Sequence, residues 1–309
     1  MNLKTEAEKR KSGFVTIVGL PNVGKSTLMN KMIGQKIAIT SYKPQTTRSR
    51  IRTIYTDERG QIVFLDTPGI KKIPNKLGEY MYKVSTSSIG EVDIVLFMCE
   101  VKKAWSEEDE AMLALLQKAK GAVFLVVNKI DKVKEEDLLP FLQKMSERFR
   151  FTDVFPVSAR TGDGVEALME ALFQQLPEGE AFYDEELVTT QTEREITAEI
   201  IREKALRLLQ EEVPHGIAVS IERMKERTTK AGEPITDIEA SIICEKESHK
   251  GIIIGRQGTM LKKIGAAARS DIEAMLQQKA NLKLFVKVRD EWRDSGNQLK
   301  SFGYDITSF

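Results

Sequence analysis

Cysteine and histidine are both scarce: Cys99, Cys244, His215 and His249 are their only representatives among 309 residues. Two isolated histidines cannot assemble a zinc constellation. The cysteines lie far apart in apolar, strand-like runs and read as buried thiols of a reducing compartment rather than as a disulfide. Apolar runs are also short. The stretch from Ile94 to Met98 falls well below the roughly 20 residues that span a bilayer, which excludes a transmembrane helix. Met1 to Lys11 is charged and lacks the apolar stretch of a signal peptide, so a cytoplasmic location is expected. Nor is one sign of charge in excess. With 47 Lys and Arg against 46 Asp and Glu, any affinity for nucleic acid must come from local clustering.

What is present is enough apolar material for a core, at 41% hydrophobic residues with 13 Phe, in a chain long enough for two domains. Short β-branched runs alternate with amphipathic helical stretches through the first 177 residues, the rhythm of a parallel sheet covered by helices. Strands are expected near 14–19, 51–57, 61–66, 92–98, 122–128 and 153–157. Asp57-Glu58-Arg59-Gly60 joins two of them as an antiparallel hairpin, so one edge strand runs against the rest. Pro177-Glu178-Gly179 and the acidic run that follows read as a linker or strap. The chain thus divides into 1–178, a linker 179–192, and a smaller α+β unit 193–309. In that unit a helix is expected over about 193–212, strands near 216–223 and 234–244, two helices interrupted at 255–258, and a strand over 282–288.

Gly19-Leu20-Pro21-Asn22-Val23-Gly24-Lys25-Ser26 fits the phosphate-loop pattern, between strand FVTIV and the helix that Ser26 and Thr27 open. Glycines let successive amides turn toward a β-phosphate, and the helix start adds its positive dipole end. Lys25 would bridge β- and γ-oxygens, and the Ser26 hydroxyl would ligate Mg²⁺. Asp66-Thr67-Pro68-Gly69 ends strand QIVFL, where loops after parallel strands meet the crevice. Asp66 would hold the metal, and the Gly69 amide would meet the γ-phosphate. Within Gln45-Thr46-Thr47-Arg48 either threonine could add a hydroxyl to the metal; Thr47 is preferred. Lys25, Thr47 and Gly69 are therefore the expected catalytic set.

Asn128-Lys129-Ile130-Asp131 ends strand VFLVV. The Asp131 carboxylate can accept from the ring N–H and exocyclic amine of guanine, whereas adenine would set an acceptor against it. Asn128 would tie this loop to the phosphate loop, the Lys129 stem would cover the base, and Ser158-Ala159-Arg160 would offer an amide to the guanine carbonyl. The ligand is thus GTP or GDP. Farther on, Gly255-Arg256-Gln257-Gly258 lies between helices, where two glycines let a nucleic-acid backbone approach as in KH domains. From Lys246 to Arg289 there are ten basic and three acidic residues, and none of the acids falls between Lys250 and Arg269. Phosphates would meet Lys250, Arg256, Lys262, Lys263 and Arg269 beside Gly251, Gly255, Gln257 and Gly258, and Ile252, Ile253, Ile254 and Ile264 would wall the bases.

In this order the motifs resemble those of TRAFAC-class GTPases of the Era type, over essentially the whole chain. The resemblance implies a P-loop GTPase domain, with a mostly parallel six-stranded sheet and helices on both faces, followed by a smaller α+β type II KH domain. It also implies a monomeric switch that binds the 3′ end of 16S ribosomal RNA, not DNA, acts in assembly of the 30S subunit, and associates peripherally with the membrane. One departure stands out: Ile70 occupies the place of the water-orienting glutamine of Ras-like enzymes, so turnover should be slow. A monovalent cation such as K⁺, seated with help from Asn22, would supply the missing positive charge. The alternative is an RNA-binding assembly factor in which nucleotide only stabilises the fold.

Overall fold

A computed structural model describes residues 10–304 except 36, 41, 42, 44, 45 and 103. The first half alternates β1 (Lys11–Val18), α1 (Lys25–Ile33), β2 (Ile51–Asp57), β3 (Gly60–Asp66), α2 (Lys76–Ser87), β4 (Ile94–Glu100), α3 (Glu107–Leu116), β5 (Ala122–Asn128), α4 (Glu135–Arg148), β6 (Asp153–Pro156) and α5 (Val165–Gln175). The sheet order is β2-β3-β1-β4-β5-β6, and β2 alone pairs antiparallel. Its hairpin turns at Gly60, whose φ of 142° suits glycine and where a Cβ would lie 1.8 Å from the Lys11 carbonyl oxygen. Central strands bury side chains on both faces, which accounts for their unbroken apolar runs. One face packs Leu28 and Met29 of α1 and Leu168 and Leu172 of α5 against Ile17 and Phe64. The other packs Met112 of α3 and Phe141 and Met145 of α4 against Phe97 and Leu125.

The acidic run after 178 lies along the sheet as a strap. The amides of Phe182 and Tyr183 donate to Gln61 Oε1 at 2.8 and 3.0 Å, and the Phe182 ring stands 4.7 Å from that of Phe14. Ile54 N donates to the Val188 carbonyl at 2.8 Å, extending the open edge of β2.

The second half begins with α6 (Glu193–Leu208), capped by Thr192 with Glu195 closing the box. Then come β7 (Ala218–Thr228), β8 (Pro234–Cys244), α7 (Glu247–Ile254), α8 (Thr259–Leu276), β9 (Lys279–Val288) and α9 (Gly296–Ser301). β7 pairs antiparallel and β9 parallel with β8. Ile201, Ile264, Ala268 and Ile272 of α6 and α8 close the apolar face of this sheet over Ile238, Ala240 and Ile242. Cys99 and Cys244 are buried in separate cores, which pushes their thiols up to about 12 and about 11.

The two halves share a further core. Leu77, Tyr80, Met81 and Val84 of α2 pack with Ala218, Ile243, Trp292, Leu299 and Tyr304. The sequence reading expected neither α2 nor the segment after 288. Each is short, and its apolar face is completed only by packing across the two halves.

Candidate functional site

The phosphate loop is built by close backbone approaches. A Cβ at Gly19 would fall 2.3 Å from the Met98 carbonyl oxygen, and one at Gly24, whose φ is 107°, would fall 2.3 Å from Asn128 Nδ2. Among the described residues no side chain caps α1, so its first amides are left for an anion. Lys25 is buried, and its Nζ donates to the carbonyls of Gly19 and Leu20 at 3.1 and 3.0 Å. Burial brings its pKa down to about 8, against the opposing pull of Asp66.

Three oxygens converge beside it. Ser26 Oγ lies 3.0 Å from Thr47 Oγ1, and the two hydroxyls donate to Asp66 Oδ2 at 3.2 and 3.1 Å. Asp66 is wholly buried, and among the described residues its Oδ1 has no hydrogen-bond partner. Burial pushes its pKa up to about 6, although Lys25 opposes the rise. A buried, under-satisfied carboxylate between two hydroxyls fits a hard divalent cation. Thr46 also reaches the cavity wall, but its Oγ1 donates to the Lys43 carbonyl at 2.7 Å. Gln45 lies outside the described residues. Thr67 Oγ1 donates to the Ile17 carbonyl at 3.0 Å and the Pro68 carbonyl accepts from Ser85 Oγ at 2.8 Å, which holds Gly69 against Pro21. Ile70 is buried in the core, with its amide on the Gly19 carbonyl at 3.1 Å.

At the other end of the cavity Asn128 joins two loops. Its Nδ2 donates to the Val23 carbonyl at 2.7 Å, and its Oδ1 accepts from the Ala159 amide at 2.9 Å. The Ala159 amide is thereby engaged by Asn128 at the cavity wall. Lys129, at φ 66°, extends its Nζ to the Asn22 carbonyl at 2.8 Å and to Glu100 at 2.5 Å. Asp131 accepts from Ser158 Oγ at 2.7 Å and from Arg160 at 2.8 Å, contacts that hold its carboxyl below the usual carboxylate range. The cavity between these ends measures about 760 Å³, enough for a nucleotide, and reaches Pro21, Asn22, Gly24, Ser26, Thr27, Gly69 and Arg160 among its walls. Val23 points into the core instead, Leu20 packs against it, and Asp66, Thr67, Pro68 and Ser158 lie behind the wall.

In the second half, Gly255, Gln257 and Gly258 have φ of 70°, 51° and 76°. A Cβ would meet open space at Gly251 and Gly258, whereas at Gly255 it would come 2.8 Å from Met260 Cβ. Arg256, Gln257, Lys262 and Lys263 are exposed around the uncapped start of α8. Lys250 pairs with Glu247 at 3.4 Å and Arg269 with Glu273 at 3.8 Å. The apolar wall needs correction. Ile253 and Ile264 are wholly buried in the core between α7, α8 and the sheet, so neither can meet a base. Ile252 is 49% exposed and Ile254 half-buried; these two remain on the surface.

Residues 14–129 match the family model of a 50S ribosome-binding GTPase, and residues 212–293 match that of a KH domain. GTPase Era of Clostridium kluyveri is 50% identical over 294 residues, 95% of this chain and 99% of its own length. That of Clostridium acetobutylicum is 51% identical over 95% of this chain and 98% of its own. The chain belongs to the Era family of GTPases. A crystal structure of Era with MgGDPNP and nucleotides 1506–1542 of 16S ribosomal RNA superposes with a TM-score of 0.92 at 38% identity, over 96% of this chain and 100% of that one. A variant of Aquifex aeolicus Era bound to GDP and AlF₄⁻ gives 0.91 over the same shares of the two chains.

Three residues that line the cavity escaped the sequence reading: Thr40, Lys132 and Arg207. Lys132 follows directly on Asp131 and could have been found by extending the motif. Arg207 lies on α6 in the other half of this Era-family chain, where no local pattern marks it as part of a nucleotide cavity. It donates to the Thr40 carbonyl and hydroxyl at 2.9 and 3.1 Å.

Proposed function

We propose that this protein is a Mg²⁺-dependent GTP-hydrolysing switch that binds the 3′ end of 16S ribosomal RNA and acts in assembly of the small (30S) ribosomal subunit. It would be organised as a GTPase domain over 1–178, a linker over 179–192 and an RNA-binding domain over 193–309. The observation that carries the nucleotide assignment is Asp131, braced by Ser158 at one end of a cavity whose other end holds Lys25, Ser26 and Thr47, with Asp66 accepting from the two hydroxyls behind that wall. A braced carboxylate can accept two guanine N–H groups and leaves an adenine acceptor facing a charge. Lys25, now held by loop carbonyls, would transfer to phosphate oxygens when nucleotide enters. Bound Mg²⁺ would offset charge on the β- and γ-oxygens, with Ser26, Thr47 and Asp66 holding it.

The RNA assignment rests on the basic, open Gly255 to Gly258 turn and on the likeness to Era solved with a 16S fragment. Among the described residues no helix is long and apolar enough to cross a membrane, and peripheral association rests on the family resemblance alone. Asn22, left-handed at φ 65° within the phosphate loop, would help to seat K⁺; equal turnover in potassium and sodium would count against that role. Multiple-turnover phosphate release tests the reading as a whole. GTP but not ATP should be turned over, and Lys25→Ala should abolish turnover. Lys25-independent release, or equal use of ATP, would contradict it.

A further inference from the structure

Of the three side chains that converge for a metal, Ser26 stands on α1 and Asp66 ends β3, whereas Thr47 lies in a segment between α1 and β2 that carries no helix or strand among the described residues. The contacts of Thr47 Oγ1 to Ser26 and Asp66 are the ones a metal would replace, so something else must hold it in place. The adjoining residues do so, and they reach into the second half. Arg48, 1% exposed, donates from Nη1 to the Ile217 carbonyl at 2.5 Å and from Nη2 to the His215 carbonyl at 2.9 Å. Its guanidinium carbon stands 5.7 Å from the centre of the Trp292 ring, and the Trp292 indole N–H donates to the Gly216 carbonyl at 2.9 Å. Arg202 of α6 donates to the Thr46 carbonyl. At the near end of the loop, Glu203 accepts the Thr40 amide at 3.1 Å.

Arginine suits this place for a definite reason. A planar fork can serve two carbonyls from two separate nitrogens while its face lies on an indole; a lysine ammonium donates from a single nitrogen and has no planar face to stack. The turn it grips leads straight into β7, which pairs with β8, and β8 leads through α7 to the Gly255 to Gly258 turn.

We propose that Arg48 is a positioning residue for GTP hydrolysis: anchored between the 215–217 turn and Trp292, it sets Thr47 beside Ser26 and Asp66, so that docking of the second half determines whether the metal-binding arrangement is complete. The inference deepens the reading of a Mg²⁺-dependent GTPase and rests on it.

The test uses the full chain with Arg48→Ala and Arg48→Lys. Without nucleotide, amide hydrogen exchange over residues 46–50 should rise about tenfold or more in Arg48→Ala, as expected of a segment that has lost its anchor. The Mg²⁺ concentration that half-saturates binding of a fluorescent GTP analogue should rise about tenfold and kcat should fall by a similar factor. GDP affinity without Mg²⁺ should stay within about twofold, because Thr47 takes no part in it. Arg48→Lys should recover part of each loss. On a Thr47→Ala background, Arg48→Ala should add nothing further to the loss in kcat. Should Arg48→Ala fail to fold, Arg48→Lys and Trp292→Phe carry the same measurements, with smaller shifts in the same direction. An unchanged Mg²⁺ response, or an equal loss on the Thr47→Ala background, overturns the inference while the GTPase reading stands. A wild-type chain without Mg²⁺-dependent hydrolysis overturns both.

Discussion

Gly24 and Asn128 meet so closely that a methyl group on the first would lie 2.3 Å from the side-chain nitrogen of the second. That contact couples the loop around the phosphates to the loop that names the base. Gly24→Ala must therefore displace Asn128 and adopt a φ of 107° that alanine resists. We predict a loss of GDP affinity of about a hundredfold, the scale of two or more displaced hydrogen bonds. Asn128→Ala should give a similar loss. Fluorescent-GDP titration measures both, and affinities near wild type would refute the coupling.

Base selection should turn on one atom pair. Asp131→Asn replaces an acceptor by a donor that can meet the extra carbonyl of xanthine. Competition binding should show the order of preference reversed, with xanthine nucleotides displacing GDP. A variant that merely weakens for every base would mean that Asp131 acts through its contacts with Ser158 and Arg160.

The metal site carries a pH signature. The Asp66 carboxyl, raised to about 6 by burial, takes up a proton more readily folded than unfolded. In the nucleotide-free protein its contribution to stability is therefore largest at low pH and declines as pH rises toward 6. Divalent-metal affinity must run the other way, because the ligand has to be ionised. Calorimetric Mg²⁺ titration with GDP present should weaken about tenfold per unit below pH 6. A flat profile between pH 5 and 7 would show that Asp66 does not hold the metal.

On the KH domain, surface and core should separate cleanly. Lys262→Ala with Lys263→Ala should weaken RNA binding and lower its salt dependence by about 0.7 for each phosphate no longer neutralised, leaving GTP turnover intact. Ile253→Ala should instead cost about 2–5 kcal/mol of stability through the cavity it leaves, since Ile253 is wholly buried. Thermal melts and RNA binding at two salt concentrations distinguish the two effects.

How much of this could be read from the chain depends on how far each feature reaches. The phosphate loop, the Asn128 to Asp131 selector and the hairpin at Gly60 are contiguous, and each is dictated by backbone geometry that only particular residues satisfy. The six-stranded sheet followed so directly because its central strands are apolar on both faces. The four isoleucines around the glycine turn misled for a simple reason. On a helix, neighbours 100° apart face different ways, so Ile252 reaches solvent while Ile253 enters the core. Contacts between the halves left no local trace. Arg207 and Thr40, Arg48 and the His215 carbonyl, and α2 and Trp292 are each far apart in sequence, and only tertiary packing makes them neighbours. The described contacts between the two halves near the nucleotide cavity run from Thr40, Thr46 and Arg48 to α6 and the 215–217 turn.

Communication between a guanine-nucleotide pocket and an RNA-binding groove is tested most directly by the affinity of the intact protein for a labelled 16S 3′-end fragment. It should be measured by fluorescence anisotropy with Mg²⁺ and either a non-hydrolysable GTP analogue or GDP. The two affinities should differ about tenfold, a coupling of about 1.4 kcal/mol. Equal affinities in the two nucleotide states would contradict a switch.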